Sequence, residues 1–359
     1  MTEISETSSA HSGPGSGPGP GSGRRFEGRP RVTVTRRLTP EVEARMTELF
    51  DVVLNPGDTP FTRARLIAAM RESDVLVPTV TDRIDAEMIA HAVDAEHGGS
   101  GRLRMIASFG AGYDHIDLAA ARARKIPVTN TPGVFTDDTA DLAMALIIAV
   151  PRRLIEATRM VLAGEWTGWG PTAMLGARLG GRRLAIVGMG RIGQAVAHRA
   201  RAFGLEVVYH NRHRLPGAVE NMLGVRYEPD LDAMLAGADI VSLHCPAGAG
   251  THHLIDARRL ALVKPDAYLV NTARGDIVDE EALLTALAEG RIAGAGLDVY
   301  LHEPRIDPRF LALPNVVLMP HVGSATVEGR STAGEKVIAN IRFWADGHRP
   351  PDQVLEAWA

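Results

Sequence analysis

Residues 188–193, GMGRIG, place three glycines between an apolar run (RLAIV, 183–187) and an amphipathic run over 194–203. A glycine turn in that setting suits a strand–turn–helix that holds a dinucleotide. Gly188 permits the tight turn, Gly190 lets the backbone approach a pyrophosphate, and Gly193 lets helix and strand pack closely. The helix start at Arg191 and Ile192 offers unpaired N–H groups and a positive dipole end to phosphates. The following run, LEVVYH, leads into Asn211, where an acidic residue would accept from a ribose 2′-hydroxyl. Here the chain reads Asn211-Arg212-His213-Arg214. No carboxylate repels a 2′-phosphate, and Arg212, seconded by Arg214, offers guanidinium forks for one. NADP(H) is therefore the favoured cofactor. NAD(H) is the alternative, with the basic run as a solvated loop.

Three further segments carry polar residues where strands of a parallel sheet would end, the usual ligand crevice of such sheets. They are 270–276 (VNTARGD), 296–304 (GLDVYLHEP) and 319–326 (MPHVGSAT). Arg274 offers a permanent cation, Glu303 a carboxylate, and His321 a group that exchanges a proton near neutral pH. The bland alternatives are a surface ion pair of Arg274 with Asp276, a pair of Glu303 with Arg305, and a structural histidine. His252 and His253 have no cysteine or carboxylate set at ligand spacing, so no metal is expected; they read as an exposed helix start.

The elements that must position these groups follow from periodicity and composition. The chain has 359 residues, 39 basic and 43 acidic, a net charge of −4, with 45% apolar and 23% charged residues. Such length and mix predict a globular protein of two domains. Mild acidity gives no reason to expect a nucleic-acid or membrane partner. The apolar run 143–150 is far short of a membrane span. The single cysteine, Cys245, forms no internal disulfide and suits a reducing interior. The first 23 residues have no signal-peptide character, so a cytoplasmic location is expected. Their Gly/Ser/Pro content predicts that residues 1–30 form a disordered tail.

Short apolar runs at 31–35, 75–77 and 103–108 alternate with helical patterns at 40–50 and 84–93. After Thr131-Pro132-Gly133, residues 136–139 (TDDT) offer helix N-cap chemistry. An apolar helix is expected over 138–163, kinked at Pro151 and buried either within its own domain or against another domain or subunit. A second α/β series begins at 183, with further strands at 205–210, 240–243, 268–271, 295–299 and 316–318. Strands alternating with helices imply parallel α/β sheets.

These motifs, together with 108–117 (SFGAGYDHID), resemble the D-isomer-specific 2-hydroxyacid dehydrogenase family. The resemblance runs from Arg31 to about Trp344 and is specific, because five motifs occur in one order. Within the family, 77–82 (VPTVTD), 164–169 (GEWTGW) and His210-Asn211-Arg212 look most like glyoxylate/hydroxypyruvate reductases. The fold this implies is two Rossmann-like, doubly wound parallel-sheet α/β domains with an active-site cleft between them. Residues 131–320 would bind the dinucleotide. Residues 31–130, completed by 321–350, would form a discontinuous substrate domain.

The resemblance implies that Arg274, Glu303 and His321 are catalytic. Arg274 would bind the carboxylate and carbonyl of a 2-keto acid, while His321 supplies a proton and Glu303 orients it. Gly110, Ala111 and Gly112 would offer backbone N–H groups to the substrate carboxylate, with Ser324 nearby. Asp298 would stand beside the nicotinamide. Thr139, Cys245, Pro246, Thr251, Thr272, Ala273 and Gly323 would line the cofactor site with the glycine turn. A homodimer is implied, in which Trp166 and Trp169 either pack at the interface or serve ordinary packing. The expected reaction is NAD(P)H-dependent reduction of glyoxylate or hydroxypyruvate. The alternatives are an NAD-linked dehydrogenase of another D-2-hydroxy acid and a non-catalytic, dinucleotide-sensing corepressor.

Overall fold

The computed structural model describes residues 25–355. The first 24 residues of the expected tail lie outside that range. Residues 25–30 do not behave as tail. Phe26 stacks on Trp344 at 5.5 Å, and its amide donates to the Ala345 carbonyl at 2.7 Å. An aromatic ring interrupts the Gly/Ser/Pro composition there and has apolar surface to bury.

Two parallel sheets organise the chain. The first holds β1 (Arg31–Val34), β2 (Asp51–Val53), β3 (Val75–Val77), β4 (Met105–Ala107) and β5 (Val128–Thr129), in the order β2-β1-β3-β4-β5. The second holds β6 (Arg183–Val187), β7 (Glu206–His210), β8 (Arg226–Tyr227), β9 (Ile240–Leu243), β10 (Tyr268–Asn271), β11 (Gly294–Leu297) and β12 (Val316–Leu318), in the order β12-β11-β10-β9-β6-β7-β8. Every pairing between these strands is parallel. The central strands are buried along their whole length, as sheets covered by helices on both faces require. Strands β2, β5 and β8, absent from the sequence reading, are two or three residues long and sit at sheet edges. Their patterns are too brief to show a period.

The helix Thr136–Ala149 starts without a side-chain cap, so the TDDT run does not do what its composition suggests. Instead Asp138 accepts from the Thr326 hydroxyl, at 2.5 Å, and the Thr139 hydroxyl donates to the Gly323 carbonyl, at 3.2 Å. This helix lies close on β11, where Gly296 leaves room: a Cβ there would stand 3.0 Å from the Leu146 side chain. The expected continuous helix is broken rather than kinked. Pro151 has no N–H to continue the ladder, and Arg153 turns left-handed at φ 54° before a second helix, Leu154–Leu162. The two halves differ in burial. The first packs into the seven-stranded layer. The second buries none of its residues and leaves Leu162 81% exposed, with Trp169 beyond it at 85%.

The last long helix, Val327–Ala345, begins with Thr326 accepting from the Gly329 amide and returns to the first layer. It packs on the helix Pro40–Leu49, where Gly334 meets the Val42 side chain so closely that no Cβ fits between them. The chain therefore crosses from the first layer to the second near 130 and comes back after 321. Among the described residues no helix is long and apolar enough to cross a membrane.

Candidate active site

The strand ends of both sheets face a common cleft, and the polar segments found in the sequence meet there. His321 follows β12. Its Nδ1 stands 2.6 Å from Glu303 Oε2. Glu303 also accepts the Tyr300 amide at 3.0 Å through its other oxygen. A carboxylate can only accept here, so Nδ1 carries the hydrogen and Nε2 is left for exchange with a ligand. Burial opposes ionisation of Glu303. The bond and charge of His321, the Tyr300 amide and the charge of Arg274 outweigh it and hold the carboxyl below its ordinary range. Arg305 is not its partner.

His321 has φ 55°, a left-handed conformation that costs a residue with a Cβ. Asp298 holds it there. One carboxylate oxygen accepts from the Val322 amide and the other from the Gly323 amide, both at 2.8 Å. Burial pushes the Asp298 carboxyl up. The residue expected beside the nicotinamide thus has both oxygens engaged in bracing the histidine loop. Thr139, through the Gly323 carbonyl, braces the same loop from behind. Ser324, on that loop, has no side-chain hydrogen bond among the described residues.

Arg274 follows β10. Gly275 lets this turn press against the Tyr300 backbone, where a Cβ would collide. Asn271 closes the turn by donating to the Arg274 carbonyl and accepting from the Ala273 amide. The guanidinium does not pair with Asp276. It reaches into the first layer instead and binds Asp114, with Nε 3.2 Å from both oxygens and Nη2 3.1 Å from Oδ1. Gly112 lies under it, and a Cβ there would overlap Nη2. The carbonyls of Gly110 and Ala111 are held by the Thr131 amide and Asn130. Their N–H groups, with that of Gly112, have no acceptor in the described residues and are free for an anion.

The glycine turn has the form a pyrophosphate needs. Gly188 has φ 98° and faces the backbone of His244 and Cys245, where a Cβ would come within 2.5 Å. Gly193 packs against the Gly188 carbonyl. Gly190, at the N-terminus of the helix Arg191–Ala202, opens onto free space, and no side chain caps the helix. The Thr272 hydroxyl is buried with no partner in the described residues, as a group waiting for a ligand would be. Thr251 closes its own turn by donating to Pro246. Burial pushes the Cys245 thiol up to about 11, so it stays protonated. These residues fit a dinucleotide.

At the far end of that crevice the two arginines separate. Arg214 donates through Nε and Nη2 to Glu220, at 2.9 and 2.7 Å, and Tyr209 donates to the same carboxylate at 2.6 Å. Arg214 and Tyr209 hold the Glu220 carboxyl down to about 2. Arg214 is thus engaged in closing its own loop. Arg212 is exposed and makes no hydrogen bond or ion pair in the described residues. Asn211 accepts the Met189 amide at 2.6 Å and ties the loop to the glycine turn. His252 and His253 stack at 4.0 Å in a turn, not at a helix start. Asp114 was missed by the sequence reading. Its place beside GAG in SFGAGYDHID was the available signal, but its partner is 160 residues away.

A strand–glycine-turn–helix crevice beside a paired histidine and a guanidinium defines a dinucleotide-dependent oxidoreductase of the α/β class. Comparison with known proteins sharpens this. Residues 144–323 match the family described as D-isomer specific 2-hydroxyacid dehydrogenase, NAD binding domain. A glyoxylate reductase of Thermococcus litoralis is 45% identical over 91% of this chain and 97% of its own. An NADPH-dependent glyoxylate/hydroxypyruvate reductase of Sinorhizobium meliloti, solved with NADP and malonate, superposes with a TM-score of 0.80 at 35% identity, covering 92% of this chain and 98% of that one. A glyoxylate reductase of Paecilomyes thermophila superposes with a TM-score of 0.79 at 32% identity, covering 91% and 98%. The chain belongs to the D-isomer-specific 2-hydroxyacid dehydrogenase family. It is an enzyme that binds a nicotinamide dinucleotide.

Two partly buried histidines set an acid limit. Burial pushes His244, bonded to Ser242, and His115, bonded to Ser108, from 6.5 down to about 4. Between those values the unfolded chain binds protons that the folded chain does not, so stability falls as pH drops from 6.5 through 4. Thermal melts across this window should show a declining Tm, with a shallower decline in His244→Asn. Parallel slopes for the two proteins would remove His244 from the account.

Proposed function

We propose that this enzyme reduces glyoxylate or hydroxypyruvate to glycolate or D-glycerate. One observation carries the reading. The Glu303–His321 pair leaves Nε2 free in the same cleft where Arg274 and the Gly110–Gly112 amides gather donors for a carboxylate. A reduced dinucleotide, its pyrophosphate held by the Gly188–Gly193 turn, would supply the hydride. Arg274 and the free amides fix the keto acid by its carboxylate, and Arg274 polarises the carbonyl. His321 gives a proton to the carbonyl oxygen as the alkoxide forms, and Glu303 keeps the imidazole oriented. In the reverse direction neutral His321 accepts the hydroxyl proton. The first layer with the helix Val327–Ala345 serves as the substrate domain, and the layer of β6 to β12 as the cofactor domain. The lone thiol, Cys245, suits a reducing, cytoplasmic setting.

NADP(H) is the favoured cofactor because Arg212, at the end of β7, pairs with no carboxylate among the described residues. The second reading, NAD(H), draws support from the engagement of Arg214 by Glu220. A homodimer is supported by the exposed apolar surface of Leu154, Val161, Leu162, Trp166 and Trp169, which a solitary chain would leave in water.

His321→Ala and Arg274→Ala should each lower kcat/KM for keto-acid reduction by roughly 10²–10⁴-fold with unchanged melting. Near-normal turnover by folded His321→Ala would remove it as the acid. The wild-type enzyme should favour NADPH over NADH, and Arg212→Ser should cut that preference by about tenfold. A tenfold preference of the wild type for NADH would overturn the cofactor assignment. Light scattering should give twice the chain mass, and Val161→Asp with Leu162→Asp should shift it to the single chain. A wild-type protein running as one chain at micromolar concentration would defeat the dimer.

A further inference from the structure

Arg274 has five N–H donors, and the structure shows where three of them go. The Nε–H and one Nη2–H take the Asp114 carboxylate side-on, and one Nη1–H takes the Ala273 carbonyl at 2.8 Å. One N–H on each Nη remains. Asp114 comes from the loop after β4, in the other layer, so this pair spans the cleft. Two carboxylates, Asp114 and Glu303, already stand around Arg274 before any substrate enters.

We infer that Asp114 is a positioning and specificity-determining residue, which aims the free end of Arg274 at a single carboxylate and turns away keto acids that carry a second one. This rests on the keto-acid reading above. A substrate carboxylate on the remaining Nη donors lies within roughly 6 Å of Asp114, two hydrogen-bond lengths across one nitrogen. At such a range a second negative charge is repelled even in a partly solvated site. Surface ion pairs are commonly of little consequence. This one differs in that its cation touches substrate and its geometry is bidentate and crosses between layers. Burial works against the ionised Asp114, and the charge and hydrogen bonds of Arg274 overcome it, so the carboxyl is held below its ordinary range.

The test compares wild type, Asp114→Asn and Asp114→Glu with glyoxylate and with oxaloacetate, and measures malonate and glycolate affinity by calorimetry with NADPH present. In Asp114→Asn, kcat/KM on glyoxylate should fall by about tenfold through a higher KM, as Arg274 loses its orientation. The oxaloacetate-to-glyoxylate ratio should rise by about tenfold, and the malonate-to-glycolate affinity ratio should rise with it. Asp114→Glu keeps the charge and should keep both wild-type ratios. A merely structural role lowers all ligands together, so unchanged ratios in folded Asp114→Asn overturn the inference. If wild type reduces no keto acid while the malonate-to-glycolate ratio still shifts in Asp114→Asn, the reductase reading fails and the charge filter stands.

Discussion

One hydrogen bond governs this site: Nδ1–H of His321 to Glu303, at 2.6 Å. It decides which nitrogen is free, and so whether the imidazole can hand a proton to a ligand in the cleft. The bond requires His321 to sit at φ 55°, a conformation that costs about 1–3 kcal/mol for a residue with a side chain. The opposing terms are larger. Two amide bonds to the Asp298 carboxylate contribute about 1.5–3 kcal/mol each, as hydrogen bonds to charged groups do. Thr139 on Gly323 and Thr326 on Asp138 add neutral and charged links to the same loop. The strained conformation is therefore over-determined by its surroundings, and the histidine is held before substrate arrives.

The same economy explains why the helix Thr136–Ala149 lies where it does. It must come close enough to β11 for Thr139 to reach the histidine loop, and the GAGL sequence of β11 permits that approach. Substituting bulk at Gly296 would lift the helix and loosen a loop it touches only at its first turn. Packing and catalysis meet in that one contact, and the apolar composition of the helix serves both.

Charge is arranged as carefully as shape. Arg274 binds Asp114 across the cleft and adds its field to Glu303, so two carboxylates stay ionised despite partial burial. At the other end of the crevice Glu220 engages Arg214 and Tyr209 below the loop, and Arg212 has no partner among the described residues. At both places an ion pair is committed and spare donors remain, on Arg274 at one and on Arg212 at the other. The spare donors define where an anionic ligand can lie.

Much of this was legible in order along the chain. Local rules are strong where a pattern is long or chemically narrow: the glycine spacing at 188–193, the apolar strands, and Pro151 as an interruption, read as a kink, of an apolar helix. These follow from steric and hydrogen-bonding limits that act within a few residues. What sequence alone could not decide was who meets whom. Neighbours in the chain offered Arg274 only Asp276, whereas folding brings Asp114 to it; Glu303 meets His321, as the resemblance implied; Asp298 takes the Val322 and Gly323 amides, and Arg214 takes Glu220. Charges and donors find partners by distance in space, and only the stacking of two parallel layers fixes those distances.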